Sequence, residues 1–500
     1  MKRKLQTIIK KENINSLYIF LIMLLFAIII CSNFFSLHFS QDTYCITAYG
    51  YDKYIKHFLS IGRILGAAQI FITKTFNIPF DFMIIFSSIF GTLFLTLSWF
   101  MVYSHIIKML DIRQNKKKNV LIAGISFSIV FNFCTVETLV FAESAVLGFS
   151  IFCSTLAACV FTSDYKGKNI ETAILLFLTV IAYQTSTSLF LIIALVFIAI
   201  KNKNNKVEIL KNSIYTFLIY GVSMLLGLLI TRFMGSYLNL VERETTLLTI
   251  KEMIQTLFKY LDLIVLKNFY IKTIWYNFSI IIFLVFIFII LIIKNKQYFH
   301  ILEYFVLIIL GCILPIIPLM VIPIGSQYME PRMAMIFGSL AGILLLYLIA
   351  VMNAYEKKKI GIVISIITIV LFVMNSSNFI RSSAENLATG YIDRNIANSI
   401  IYNIEKYEEE NNKKIKKIVF GYDASPTYYY DGQIMLRSIN GRGLATNFTV
   451  VPLIQYYSEK KYEMTISQEV INEKFSKKNW DAFSEDQLIF DKDTLYFCIY

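Results

Sequence analysis

Eight polar residues stand at the edges of apolar runs. Asp42 follows the first run, and Arg63 flanks a short apolar stretch. Glu137 and Glu143 bracket the entry of another run, and Gln184 interrupts a pair of short ones. Gln327, Glu330 and Arg332 come just before Met333. Ionisable groups so close to hydrocarbon are costly and are functional candidates by default. A transporter would set them near the bilayer midplane, beside broken helices. These gather instead at the ends of the runs, which fits a site working at a membrane surface. Each has an alternative reading. Asp42, in Ser40-Gln41-Asp42-Thr43-Tyr44, could be a solvated loop residue or a helix cap. Arg63 could be an interfacial side chain reaching for water. Arg332 could be a helix-end anchor, although Glu330-Pro331-Arg332 forms a preset turn beside it. Glu137 and Glu143 are harder to set aside, because a carboxylate at that depth needs a partner.

The elements that must hold these residues follow from composition. The chain has 500 residues, 57% hydrophobic and only 16% charged, with a mean hydropathy of +0.62. Soluble domains average about 45–50% apolar and about 25% charged residues. Such a chain is not a soluble enzyme, a disordered protein or a disulfide scaffold. A membrane helix needs about 20 apolar residues. Runs at 17–37, 80–103, 138–162, 213–235, 275–293, 301–323, 333–352 and 360–377 approach or meet that length, and shorter ones lie at 119–133, 170–183 and 187–200.

Charge decides how the short runs are used. The 123 residues from Asn378 hold 15 Lys and Arg against 17 Asp and Glu, so the net +13 resides in the apolar part. That makes nucleic acid a poor partner and topology the better explanation, since cytoplasmic loops collect Lys and Arg. Reading 170–200 as a hairpin gives eleven spans. It places 21 of the 47 basic residues in six short segments on one side: 1–16, 108–118, 163–169, 201–211, 294–300 and 353–359. Reading it as one helix would put Lys201, Lys203, Lys206 and Lys211 on the other side. The expectation is therefore a polytopic α-helical protein of the bacterial inner membrane, with residues 1–377 in the membrane and the N-terminus cytoplasmic. The first run is too long for a signal peptide and lacks a cleavage site. Residues 378–500 then form a small extracytoplasmic α/β domain, with a helix at 393–411, strands at 416–422 and 494–500, and turns at Gly432, Gly441 and Gly443. Outer pieces at 38–79 and 236–274 carry amphipathic stretches, the first around 64–73 and the second with Glu242, Arg243 and Glu244. Five of the seven cysteines lie in apolar runs, Cys45 and Cys498 could pair, and no metal-ligand spacing occurs.

Asp42-Thr43-Tyr44, the stretch from Tyr54 to Gly62-Arg63, Glu143, Tyr183-Gln184 and Arg332 carry a resemblance over roughly residues 1–380. The arrangement resembles the polytopic GT-C glycosyltransferases that use polyprenyl-phosphate sugars. It is most similar to the bacterial and phage O-antigen glucosyltransferase family of the serotype-converting type. The paired acidic residues in the first loop of related mannosyltransferases are reduced here to Asp42. The resemblance implies a GT-C-like fold and transfer of a sugar, glucose by expectation, from polyprenyl phosphate to a cell-surface glycan. Asp42 would then be the general base, and Arg63 and Arg332 would bind the donor phosphate bidentately. Glu137, Glu143, Gln184 and Glu330 would orient sugar or acceptor hydroxyls, with membrane lipid around the site. A divalent metal would have a place beside phosphate and carboxylates, but the sequence does not require one. A lipid-linked glycan flippase or other transporter, an O-antigen polymerase and a membrane-anchored sensor are the rival readings.

Overall fold

A computed structural model describes residues 2–112, 115–238, 248–262, 271–295, 298–321, 330–423, 442–475, 480 and 482–499. Among them, nine helical stretches are long and apolar enough to cross a membrane. Helix α1 (Lys2–Cys31) leads into three short helices, α2 (Gln41–Tyr49), α3 (Tyr51–Ser60) and α4 (Ile64–Thr75). Then come α5 (Phe80–Leu110), α6 (Lys116–Val130), α7 (Ser144–Phe161), α8 (Lys168–Tyr183), α9 (Thr187–Lys201) and α10 (Lys206–Tyr237). Helices α11 (Ile250–Asp262), α12 (Ile271–Asn295), α13 (Phe299–Ile313), α14 (Met335–Ala350) and α15 (Lys358–Asn411) complete the helical part.

Helices apolar on every side belong in a bundle core or against lipid. Every residue of α14 is buried, as are residues 187–200 of α9, whereas α10 keeps most of its surface outward. Without a hydrophobic drive between helices, close approach needs small residues. Gly148 on α7 lies so near Gly91 on α5 that an added Cβ would sit 2.7 Å from the Gly91 carbonyl oxygen.

The 34-residue stretch from Lys168 to Lys201 folds back on itself. Its two ends meet at the C-terminus of α7, where Lys168 donates to the Ser163 carbonyl (3.1 Å) and Lys201 to the Thr162 carbonyl (2.8 Å). The stretch is a hairpin, as the lysine distribution requires. Its tip at Gln184–Ser186 is bound to the flank of α7, where Ser154 donates to the Ser186 carbonyl. Helix α6 has only 15 residues, yet the chain continues through an irregular stretch to Leu139, whose carbonyl lies 3.1 Å from His38 Nε2. Lys118 approaches Glu356 at 3.6 Å, so the lysine-bearing loops gather at one end of the bundle.

One expected boundary shifts, and another falls within a continuous helix. The run expected at 138–162 becomes a helix only at Ser144, with Glu143 capping it from outside rather than lying within the span. At 377/378 the backbone has no break, because α15 runs unbroken for 54 residues, about 80 Å at 1.5 Å per residue. Its apolar first third suits the bilayer and the remainder projects beyond.

On that projection sits a mixed sheet of β1 (Lys417–Tyr422), β2 (Glu463–Ile466), β3 (Leu488–Asp491) and β4 (Thr494–Ile499), in the order β2-β1-β4-β3. Only the β3–β4 pair is antiparallel. Two helices, α16 (Val450–Ser458) and α17 (Gln468–Lys474), accompany it. Ile396, Ile400 and Ile404, at helical spacing on α15, are buried in one apolar cluster with Ile418, Phe420 and Phe497 of the sheet. That cluster continues into Phe39, Tyr44 and Phe58 of the segment between α1 and α5, so the tail and α2–α4 share a core. Cys45 and Cys498 are both free and buried.

The hydroxyl of Tyr456 on α16 donates to Asp81 at the start of α5 (2.6 Å). Tyr456→Phe should loosen the tail by about 1 kcal/mol, seen as faster amide exchange over 442–458 with unchanged exchange in α14.

Candidate functional site

Five separate stretches converge at the end of the bundle away from the lysine loops. The first is α2. Ser40 and Thr43 bond through their hydroxyls (2.6 Å), and Thr43 accepts the Ser40 amide (3.2 Å), which fixes the helix start. Ser40 is therefore the cap, and Asp42 is an exposed residue of the first turn, where the helix dipole favours a carboxylate. No described residue bonds to its carboxylate. The Tyr54 hydroxyl donates to its backbone carbonyl (3.2 Å). The tail grips the same helix, with Thr449 donating to the Gln41 carbonyl (3.3 Å) and the Cys45 thiol to the Phe448 carbonyl (3.4 Å).

The second stretch is the turn between α3 and α4. Gly62 has φ +74°, and Arg63 follows as the residue before α4. Arg63 Nη1 lies 3.4 Å from a Glu143 oxygen, and its guanidinium stands 4.8 Å over the Tyr183 ring. The third stretch, between α6 and α7, carries both glutamates. Glu143 accepts the amides of Val146 and Leu147 through its carbonyl, while its side chain is left for Arg63. Glu137 is fully buried and accepts from both the guanidinium and the backbone amide of Arg332.

The fourth stretch is the α8–α9 tip, where Gln184 donates to the Ile61 carbonyl (3.2 Å) beside Gly62. The fifth is the turn at Pro331–Ala334, preceded by Glu330 and set by proline in its first position. It presents Arg332 4.4 Å over the Phe141 ring. Gln327 lies outside the described residues, as do Glu242, Arg243, Glu244, Gly432 and Gly441.

The groups form one electrostatic set. Burial raises the Glu143 carboxyl, Arg63 opposes that rise, and Asp42 and Arg332 are also close enough to act on it. Burial likewise pushes the Glu137 carboxyl up, and the guanidinium and backbone amide of Arg332 pull it back down. The Arg332 guanidinium, charged at any physiological pH, stands among Glu137, Glu330 and Asp42. The arrangement offers one unpaired, exposed carboxylate beside two arginines anchored from behind by buried glutamates. Such a set can hold an anion and take a proton next to it. Among the described residues, no group of three or more His, Cys, Asp or Glu is placed to hold a metal ion.

Seven of the eight residues singled out from sequence are thus brought together. Glu137 has no exposed side-chain surface, so it holds Arg332 instead of facing a ligand. Sequence spacing did not mark Phe141, the ring beneath Arg332. Nor did it mark Phe39, Tyr456 and Tyr457, which with Tyr44 tie α2 to the tail. No family model, curated protein or solved structure matches the chain.

The Gly62 turn offers a direct check. A Cβ there would run into Thr231 Oγ1 and lie 2.7 Å from Gln184 Nε2, on a backbone that L residues adopt at a cost of roughly 1–2 kcal/mol. Gly62→Ala should cut the activity proposed below about tenfold or more by shifting Arg63. Arg63→Ala combined with Gly62→Ala should then be no worse than Arg63→Ala alone.

Proposed function

We propose that this chain is a membrane hexosyltransferase of GT-C-like architecture. It moves a sugar, glucose by resemblance, from polyprenyl phosphate to a cell-surface glycan on the outer face of a bacterial inner membrane. Residues 1–377 supply the transferase and residues 378–500 the outer domain, with the N-terminus cytoplasmic. One observation carries the reading: the exposed carboxylate of Asp42 shares the end of the bundle with Arg63 and Arg332.

The acceptor hydroxyl attacks the anomeric carbon and gives its proton to Asp42. The bond from that carbon to the phosphate oxygen breaks, and its electron pair leaves with polyprenyl phosphate. The leaving group is already an anion-stabilised phosphate, so no general acid is required. Each arginine commits one side-chain N–H to its glutamate and keeps the rest of its five donors for phosphate oxygens. Glu137 and Glu143 act through the arginines by fixing them, and Gln184 and Glu330 flank the sugar.

The test supplies membranes containing the protein with polyprenyl-phosphoryl-glucose, labelled in the sugar, and a surface glycan. Label should pass to the glycan with release of polyprenyl phosphate in equal amount. Absence of transfer from every polyprenyl-phosphoryl hexose tried would overturn the reading.

A flippase reading has one specific support. His300, Glu303 and Tyr347 bond to one another near the lysine end, with His300 Nδ1 3.0 Å from both partners. On that reading Glu303→Gln stops movement of lipid-linked glycan in vesicles while Asp42→Asn does not.

A further inference from the structure

At the opposite end from the candidate site, α1, α5, α6 and α15 leave a groove of about 970 Å³. Its walls are mostly hydrocarbon, with Phe26, Trp99 and Phe372 among the side chains that line it. The Trp99 indole donates to the Ala123 carbonyl (2.8 Å) and the Thr368 hydroxyl to the Ile364 carbonyl (2.9 Å), so neither is offered to a ligand. The groove opens sideways to the bilayer, because Ile22, Val120 and Ile369 on its lips are each more than 60% exposed.

The rim has a different chemistry. Lys116 and Lys117, at the first turn of α6, line the mouth and are exposed. Their neighbour Lys118 is engaged by Glu356 at 3.6 Å and by the Tyr355 ring, and Lys201 by Asp164. No described carboxylate pairs with Lys116 or Lys117. Two unpaired cations therefore stand where an apolar slot meets the membrane surface. Their position at a helix N-terminus, where the dipole disfavours cations, leaves them still more in need of an anion. We infer that this groove binds one anionic diacyl phospholipid from the lysine-side leaflet, its acyl chain along Trp99 and its headgroup phosphate on Lys116 and Lys117. The site is independent of the proposed transfer chemistry.

Trp99 supplies the readout. It packs beside Ala123, seven residues and about 10 Å along α6 from Lys116, the depth at which mid-chain bromines of a bound lipid would lie. The full chain carrying Trp275→Phe and Trp480→Phe is reconstituted in phosphatidylcholine vesicles with a rising fraction of dibrominated phosphatidylglycerol. A parallel series uses dibrominated phosphatidylcholine. Trp99 fluorescence should be quenched at a far lower fraction of the anionic lipid. With a lysine near the surface favouring an anionic lipid by about fivefold, Lys116→Gln with Lys117→Gln should reduce that preference about twenty-five-fold. Lys211→Gln, at the same end but away from the groove, should leave it unchanged. Native mass spectrometry of the purified protein should show retained phosphatidylglycerol that the double lysine variant lacks. Equal quenching by the two brominated lipids, or an anionic preference that survives in the double variant, overturns the assignment.

Discussion

Asp42→Asn should lower sugar transfer by about 10²–10⁴-fold, the usual contribution of a well-placed general base. That is a barrier increase of roughly 3–5 kcal/mol. The change in stability should be far smaller. The side chain is exposed and has no bonding partner among the described residues, and the cap of α2 is built by Ser40 and Thr43. What the fold loses is the favourable position of a carboxylate in the first turn, about 0.3–1 kcal/mol at most. The informative result is therefore the combination: transfer falling a hundredfold or more while the unfolding temperature in detergent stays close to that of the unaltered protein. Donor binding should survive too, since the arginines keep their glutamates. Undiminished transfer by Asp42→Asn would remove Asp42 from the chemistry. Equal losses of activity and stability would make it a structural residue of α2.

Much of the scaffold was legible because bilayer and charge impose strong patterns. The lysine distribution selected a hairpin for residues 170–200, and the Ser163–Lys168 and Thr162–Lys201 contacts close the hairpin found there at its base. The spacing of Ile396, Ile400 and Ile404 marked the buried stripe of α15, and β-branched and aromatic runs marked β1 and β4. Strands β2 and β3 escaped notice because each has four residues and β2 is largely exposed, with little apolar alternation to read. The expected boundary at Asn378 is one of composition, and the backbone of α15 runs through it without a break. Composition there records where α15 leaves hydrocarbon, and a helix can pass from lipid to water without any change of backbone. The site was legible only as a set of candidates. Glu137 and Arg332 are 195 residues apart, and Arg63 and Glu143 are 80 apart. Nothing local signals which carboxylate answers which guanidinium. Tertiary packing alone pairs them.

The pairing of Glu137 with Arg332 separates a strut from a binding group. Arg332→Gln should be severely destabilising, by about 3–5 kcal/mol, because it strands the carboxylate of Glu137 with no exposed surface and no opposite charge. That loss is a large fraction of the roughly 5–15 kcal/mol that holds a domain folded, so the single variant should give a poor yield of folded protein in detergent. Its inactivity alone would say nothing about phosphate. Glu137→Gln combined with Arg332→Gln removes both charges and leaves two amides able to bond to each other, so folding should largely return. If Arg332 binds the donor phosphate, transfer should not return with it. Losing a preorganised donor from a developing anion costs about 10²–10³-fold. Arg332→Lys should show the same division in milder form, since an ammonium keeps the charge but not the planar fork that can serve Glu137 and a phosphate together. Recovery of both folding and transfer in the double variant would reduce Arg332 to a strut for the Pro331–Ala334 turn. The phosphate would then fall to Arg63 alone, whose contact with Glu143 is longer and whose side chain is the more exposed of the two.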